Sequence, residues 1–171
     1  MRSLLLFFAL LGSASGQAGH STKVGPQALK LELRTSSSHV RMSDKITVSV
    51  FLRSPDKTTT IWNALWFGIP SGISLQVLDS SGHEVPQVVV PVYPIPPDPD
   101  GKSEFISIGG REFAGFEEES KVKWLFPKPG RYTLKCSYYA PLARDYFHGI
   151  TIWGREDGFV ESAAVTVIVD K

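Results

Sequence analysis

Six aromatic or basic side chains that could form a binding surface lie in one part of the sequence, at residues 139–155. They are Tyr139, Arg144, Tyr146, Phe147, Trp153 and Arg155. Tyr, Trp and Arg dominate the hot spots of protein interfaces, so an exposed set of this kind would form a platform for a protein or a polysaccharide. Alternatively, the rings pack their own segment onto a sheet, since large side chains are generally buried where they can be. We favour packing for the rings.

A soft-metal or nucleophilic site would have to use Cys136, the single cysteine of the sequence. The nearest histidine after it is His148, with eleven residues between the two. Blue-copper sites group Cys, His and usually Met on one loop, whereas Met42 is remote in sequence. We therefore interpret Cys136 as a small buried hydrophobic residue and expect no cofactor.

Two carboxylates, Asp98 and Asp100, are the candidates for a calcium site, with Glu104 following them. A complete Ca²⁺ site takes about six to eight oxygen ligands. Asp, Pro and Gly are also the ordinary residues of turns, and the local sequence is Asp98-Pro99-Asp100-Gly101. A turn is the favoured interpretation, and calcium is kept as the weaker hypothesis.

The sequence contains none of the common catalytic signatures. There is no Gly-x-Ser-x-Gly elbow, no phosphate-binding glycine loop and no His-Glu-x-x-His segment. Asp79 is followed by Ser80-Ser81-Gly82, which is typical of a hairpin turn and lacks the spacing of an aspartic protease. We therefore expect that the protein is not an enzyme.

The first sixteen residues have the three zones of a secretory signal peptide. A basic start, Met1-Arg2-Ser3, precedes an apolar run at 4–11 and small residues at 12–16. The apolar run is too short to span a bilayer, which takes about 20 residues. We expect cleavage before Gln17, export to the periplasm or the extracellular space, and no membrane insertion afterwards. Residues 17–26 are small and polar and predict a flexible lead-in.

Charge and length limit the function of the remaining chain. Without Arg2 it carries 17 basic and 17 acidic residues. This balance provides no electrostatic surface for nucleic acid. A lone cysteine excludes an internal disulfide. We expect one domain over residues 27–171, stabilised by packing alone.

The segment 126–139 predicts the central strand of that domain. After a turn that ends at Gly130, the residues Tyr132, Leu134, Cys136 and Tyr138 alternate with polar ones. This period of two indicates a half-buried strand. The other predicted strands are 29–34, 46–53, 58–67, 74–79, 105–108, 122–126 and 163–169.

Three further segments are not predicted as alternating strands. The proline-rich segment 85–99 predicts an extended path that covers Trp62 and Trp66. The segment 113–119, with three consecutive glutamates, predicts a loop or one helical turn, and 140–158 predicts a long loop. Strands with turn signals between them indicate an all-β sandwich.

The run from Pro129 to Leu134, Pro-Gly-Arg-Tyr-Thr-Leu, resembles the corner before the sixth strand of immunoglobulin-like and fibronectin-III-like sandwiches. Trp153-Gly154 and the segment 160–167 resemble the last hairpin of such domains in exported bacterial proteins. The resemblance implies an antiparallel β-sandwich of seven to eight strands with two long insertions, at 85–120 and 140–158. It also implies a hydrogen bond from the Tyr132 hydroxyl to nearby backbone. A fainter likeness extends to a bacterial proteinase inhibitor family.

The function predicted from the sequence is a non-catalytic exported module for protein interaction or structure, which uses the loop 140–158. One alternative is a carbohydrate-binding module in which Tyr146, Phe147 and Trp153 stack on sugar rings. Another is an inhibitor of extracellular proteases that presents the segment 88–99. The expected partner is therefore a protein or a polysaccharide of unknown identity.

Overall fold

Strands account for almost all of the regular secondary structure in the described part of the chain. The computed structural model describes residues 29–65, 67, 72–87, 97–101, 104–110 and 112–171. The predicted signal peptide, the lead-in 17–26, Trp66 and the segment 88–96 lie outside these residues. The fold is all-β, as the sequence predicts.

Ten strands, one short α-helix and one short 3₁₀-helix make up the described elements. They are β1 (Lys30–Thr35), β2 (His39–Arg41), β3 (Lys45–Arg53), β4 (Thr59–Trp62), β5 (Ile73–Leu78), β6 (Phe105–Ile108), β7 (Phe113–Lys121), α1 (Val122–Leu125), β8 (Gly130–Tyr139), the 3₁₀-helix Arg155–Asp157, β9 (Phe159–Glu161) and β10 (Val165–Asp170).

The strands form three sheets. The first has the order β1-β3-β7 and is antiparallel throughout. The second has the order β2-β10-β8-β5, with β9 paired to the end of β8. In this sheet β2 and β10 are parallel, so the sheet is mixed, whereas the sequence predicts an antiparallel sandwich. The third is the antiparallel pair β4-β6.

The first two sheets bury their apolar faces in one shared core. In β3 the buried residues alternate as Ile46, Val48, Val50 and Leu52. In β8 the residues that face the same core are Tyr132, Leu134, Cys136 and Tyr138, each at most 1% exposed. Complete burial of an aliphatic side chain is worth about 1.5–3 kcal/mol. The predicted central position of β8 is confirmed, because it pairs with β5, β9 and β10.

Tyr132 closes the turn that leads into β8. Its hydroxyl donates a hydrogen bond to the carbonyl oxygen of Lys128 at 2.7 Å. Its ring packs against Phe126 at a centroid distance of 4.8 Å, and both side chains are buried. The expected bond from Tyr132 to nearby backbone is therefore present.

The predicted loop at 113–119 is wrong, because these residues belong to β7. Nine residues of β7 pair with nine of β3, from Phe113 opposite Arg53 to Lys121 opposite Lys45. On the outer face the Glu117 carboxylate accepts a hydrogen bond from the Ser49 hydroxyl at 2.8 Å. The Glu119 carboxylate forms an ion pair with Nζ of Lys45 at 2.6 Å. Local sequence preference pointed to a loop, but the cross-strand partners on β3 make the glutamates compatible with a strand.

The predicted strand at 122–126 is also wrong, because α1 occupies it. The amide of Phe126 donates to the carbonyl oxygen of Val122 at 2.9 Å. Val122 and Phe126 are buried, whereas Trp124 between them is 62% exposed. The apolar residues at 122, 124 and 126 imitate a period of two, but the two buried ones are four residues apart and share one face of a helical turn.

Two further differences concern strand number and length. The short strands β2 and β9 were not predicted, so the described residues contain more strands than the predicted seven or eight. The predicted strand 58–67 is shorter in the structure and ends at Trp62. The missed strands β2 and β9 have three residues each, too few alternating positions to give a clear pattern, whereas the predicted strand 105–108 is confirmed as β6.

The Tyr132 hydroxyl provides the first test. We expect Tyr132→Phe to lower the free energy of unfolding by about 1 kcal/mol, since the carbonyl oxygen of Lys128 loses its donor while the ring remains. The measurement is urea denaturation followed by circular dichroism. Tyr139→Phe is the matched control, because Tyr139 is 48% exposed, and a change within about 0.5 kcal/mol is expected there. Equal stability of Tyr132→Phe and wild type would contradict the role of this bond.

Candidate functional site

A groove of about 390 Å³, open to solvent, lies where β4 meets the loop 140–158. The amide of Trp153 donates to the carbonyl oxygen of Thr60 at 2.7 Å, so the segment around Trp153 runs beside β4. The wall contains one ion pair, one further lysine, four threonines and two apolar side chains. These residues are Lys57, Thr58, Thr59, Thr60, Arg144, Thr151, Ile152, Trp153 and Asp157. The groove is therefore mainly polar, with an apolar part.

Backbone hydrogen bonds hold the loop 140–158 in a defined conformation. The amide of Ile152 donates to the carbonyl oxygen of Arg144 at 3.0 Å, and the amide of Arg155 donates to the carbonyl oxygen of Leu142 at 2.9 Å. The outgoing and returning parts of the loop are thus paired across its width. This pairing gives the groove an ordered wall although the loop belongs to no sheet.

An ion pair between Arg144 and Asp157 closes the base of the loop. Arg144 donates from Nε at 3.3 Å to one carboxylate oxygen and from Nη2 to the other. Hydrogen bonding and charge from Asp157 raise the pKa of Arg144 above its ordinary value. Asp157 also accepts a hydrogen bond from the Gly154 amide at 2.9 Å. We call this arrangement of Arg144, Gly154 and Asp157 the loop clamp.

Gly154 allows the close approach within the loop clamp. A Cβ atom at this position would lie 2.3 Å from the backbone nitrogen of Arg144 and 2.5 Å from its Cα. Backbone atoms cannot give way as a flexible side-chain end can. The absence of a side chain at Gly154 is therefore what lets the two parts of the loop meet.

The aromatic rings of the loop mostly pack inward. Phe147 is 2% exposed and belongs to a second apolar cluster with Trp62, Ala64 and Ile152. Tyr146 is half-buried, and its ring centroid lies 5.3 Å from that of Phe147. The Tyr146 hydroxyl donates to the carbonyl oxygen of Pro97 at 2.8 Å. Because the Phe147 ring is buried, it cannot stack on a ligand and instead packs the loop against this cluster.

The other candidate residues lie in different environments. Arg144 and Trp153 both line the groove. Tyr139 and Arg155 are exposed and do not line it. Trp153 is half-buried, and its Nε1 is buried without a hydrogen-bond partner among the described residues. The structure therefore brings two of the six predicted residues together in the groove.

Lys57 and the four threonines of the groove were missed by the sequence prediction. Thr58, Thr59 and Thr60 are consecutive and immediately follow Lys57. A run of threonines before a strand is ordinary for strand-forming sequence. Their proximity to Thr151 depends on the long-range pairing between β4 and the loop, for which the local sequence contains no signal.

Asp98 and Asp100 form a turn. The Asp98 carboxylate accepts a hydrogen bond from the Asp100 amide at 3.0 Å, and the Asp100 carboxylate contacts Nδ1 of His148 at 2.8 Å. Across the described ranges, no group of three His, Cys, Asp or Glu residues is arranged to hold a metal ion. The Asp98 carboxylate thus stabilises the turn at 98–101, and the Asp100 carboxylate connects that turn to the loop.

Cys136 and His148 occupy opposite environments. Cys136 is 1% exposed, and burial raises the pKa of its thiol to about 12. The His148 side chain is 73% exposed and faces Asp100. A protonated thiol in the core is neither a nucleophile nor a metal ligand, which agrees with the expectation that Cys136 is a core residue.

Comparison of the chain with protein-family models, curated proteins and solved structures finds no match.

In the part of the chain that the structure describes, no helix is long and apolar enough to cross a membrane. Residues 88–96 of the predicted inhibitor segment 88–99 lie outside the described residues. The groove and the loop 140–158 therefore form the candidate site.

Burial of Cys136 leads to a labelling prediction. Because the thiolate is the reactive species, we expect iodoacetamide to leave Cys136 unmodified in the folded protein at pH 8. Complete modification is expected in concentrated urea, which serves as the positive control. The measurement is the mass of the intact protein over time. Rapid modification without denaturant would contradict the core position of Cys136.

Removal of one charge from the loop clamp should loosen the loop locally. We expect Asp157→Asn to accelerate hydrogen exchange of the Gly154 amide while the unfolding midpoint stays nearly unchanged, because an ion pair at the surface contributes little to global stability. Asp145→Asn is the control, since Asp145 lies in the same loop and is exposed. Exchange by NMR is the measurement. Unchanged exchange at Gly154 in Asp157→Asn would show that the ion pair does not hold the loop.

Proposed function

We propose that this chain is a non-catalytic exported binding module with immunoglobulin-like topology, and that it recognises a macromolecular ligand through the groove and the loop 140–158. One observation carries the functional part of this proposal. A solvent-open groove of about 390 Å³ is lined by polar side chains that a clamped loop holds in position. Clefts of about 300–1,000 Å³ are typical of ligand sites.

Strand order supports the immunoglobulin-like topology. In such sandwiches strands A, B and E lie in one sheet, and strands C, F and G lie in the other. Here β1, β3 and β7 correspond in order to A, B and E, and β5, β8 and β10 to C, F and G. Both sheets bury their faces in one core. The small sheet β4-β6 is then an insertion beside this framework.

The turn into β8 supports the same assignment. These sandwiches have a tyrosine near the start of strand F whose hydroxyl bonds to backbone a few residues upstream. Tyr132 is the third residue of β8 and bonds to the carbonyl oxygen of Lys128. The chain lacks the disulfide of antibody domains, and Cys136 contributes to the core as a thiol.

The charges of the groove support binding without catalysis. Its ionisable residues are Lys57, Arg144 and Asp157. Two of these form the loop clamp, so the charge of each is balanced by the other. The described residues of the groove include no histidine and no thiol, and the carboxylate of Asp157 is engaged by Arg144 and by the Gly154 amide.

The sequence supports export. Residues 1–16 have the three zones of a signal peptide, a basic start, an apolar run and small residues. A protein outside the cytoplasm meets surface polysaccharides and secreted proteins, which are the two ligand classes that suit a polar groove.

A substitution that fills the groove tests the proposed function. Thr151 is exposed and lines the groove, so Thr151→Arg should block it without disturbing the core. We expect the immobilised protein to retain a macromolecule from the exported fraction of the producing cells, with retention reduced at least about tenfold in Thr151→Arg. Thr166→Arg, at an exposed position of β10, should retain the ligand like wild type.

Gel staining for protein and glycan measures this retention. Equal retention by wild type and Thr151→Arg would contradict the assignment of the groove. Covalent change of the retained molecule on incubation would contradict the non-catalytic part of the proposal.

A further inference from the structure

Two threonine hydroxyls of the groove are free to bind a ligand. The hydroxyl of Thr59 is engaged by Ser54 at 2.7 Å, and that of Thr60 by Ser107 at 2.9 Å. Thr58 and Thr151 are exposed, and no described residue bonds to their hydroxyls. They come from different parts of the chain, one beside β4 and one from the loop. The groove thus offers two groups that both donate and accept hydrogen bonds.

The loop clamp retains unused hydrogen-bonding capacity. A guanidinium has five N–H donors, and Arg144 uses Nε and Nη2 toward Asp157. A carboxylate has about four lone-pair sites, and Asp157 accepts from Arg144 and from the Gly154 amide. A ligand hydroxyl next to the clamp can accept from Arg144 while a neighbouring hydroxyl donates to Asp157. Vicinal hydroxyls provide this combination in one small molecule.

Ile152 and Trp153 give the groove an apolar surface beside these polar groups. A sugar ring has the matching character, since hydroxyls surround its edge while its C–H groups form an apolar face. An aromatic or aliphatic wall packs against that face by dispersion and hydrophobic contact. This placement differs from stacking on Tyr146 and Phe147, which pack in the second apolar cluster.

The charges of the groove favour a neutral ligand over an anionic one. Arg144 is already neutralised by Asp157. A carboxylate or phosphate placed at the clamp would face the negative charge of Asp157, whose side chain is only 21% exposed. Lys57 is the remaining cation of the wall and is exposed to solvent, where charge attraction is weak.

We propose that the groove binds a neutral saccharide unit, held by the hydroxyls of Thr58 and Thr151 and by the loop clamp. This inference rests on the proposed function and names the ligand class of the same site. Because the groove is open to solvent, the rest of a polysaccharide can continue beyond it. The ligand is therefore a neutral polysaccharide or oligosaccharide outside the cell's cytoplasm.

The test uses short neutral oligosaccharides of gluco, manno and galacto configuration, with uronate-containing oligosaccharides as a second arm. Binding to the purified protein is measured by isothermal titration calorimetry and by tryptophan emission. We expect at least one neutral oligosaccharide to bind, and Thr58→Val and Thr151→Val each to weaken it about five- to tenfold, the effect of one lost hydrogen bond. Thr166→Val is the matched control and should bind like wild type.

Valine keeps the shape of threonine, and equal unfolding midpoints of all variants will show that they are folded. Binding of uronate oligosaccharides alone would overturn the neutral class. Neutral binding that neither valine variant weakens would overturn the placement. No binding to any oligosaccharide, with Thr151→Arg still abolishing retention of a protein, would overturn the saccharide inference and leave the proposed function standing. If no oligosaccharide binds and Thr151→Arg retains as much of every macromolecule as wild type, both the saccharide inference and the proposed function are overturned.

Discussion

The shared core between β3 and β8 is the interaction on which the rest of the molecule depends. β8 pairs along its length with β5, β9 and β10 and contributes Tyr132, Leu134, Cys136 and Tyr138 to that core. A register shift of one residue would turn all of these side chains to the opposite face. The Tyr132 hydroxyl bond to Lys128 and the packing of Phe126 fix the start of β8 and thereby its register.

The groove is a consequence of this register, because the loop 140–158 begins directly after β8 ends at Tyr139. Burial of Phe147 in the second apolar cluster attaches the loop to the region of β4 and β6. The loop clamp and the bond from Trp153 to Thr60 then set the distance between the two walls. A polar site is thus positioned by apolar burial on one side and by a partly exposed ion pair on the other.

Sequence reasoning succeeded where a strand is long and half-buried. The predicted bounds agree to within a few residues for β1, β3, β5, β8 and β10. In these strands one face is exposed to solvent and the other is buried, which imposes a period of two on the sequence. It failed at β7, where the outer face carries Glu117 and Glu119 and the pairing partner lies far away in sequence. It failed at α1, where three alternating apolar residues matched a strand although only Val122 and Phe126 are buried.

Without any structure, the residues predict the all-β class, the core position of Cys136, the tyrosine at the turn into β8, and the presence of Arg144 and Trp153 in one loop. These properties depend on local pattern and residue type. The burial of Phe147, and the position of Thr58 and Thr151 in the wall of one groove, are visible only in the folded chain. Both follow from contacts between segments far apart in the chain, since the burial of an aromatic ring depends on the surface that the rest of the fold presents to it.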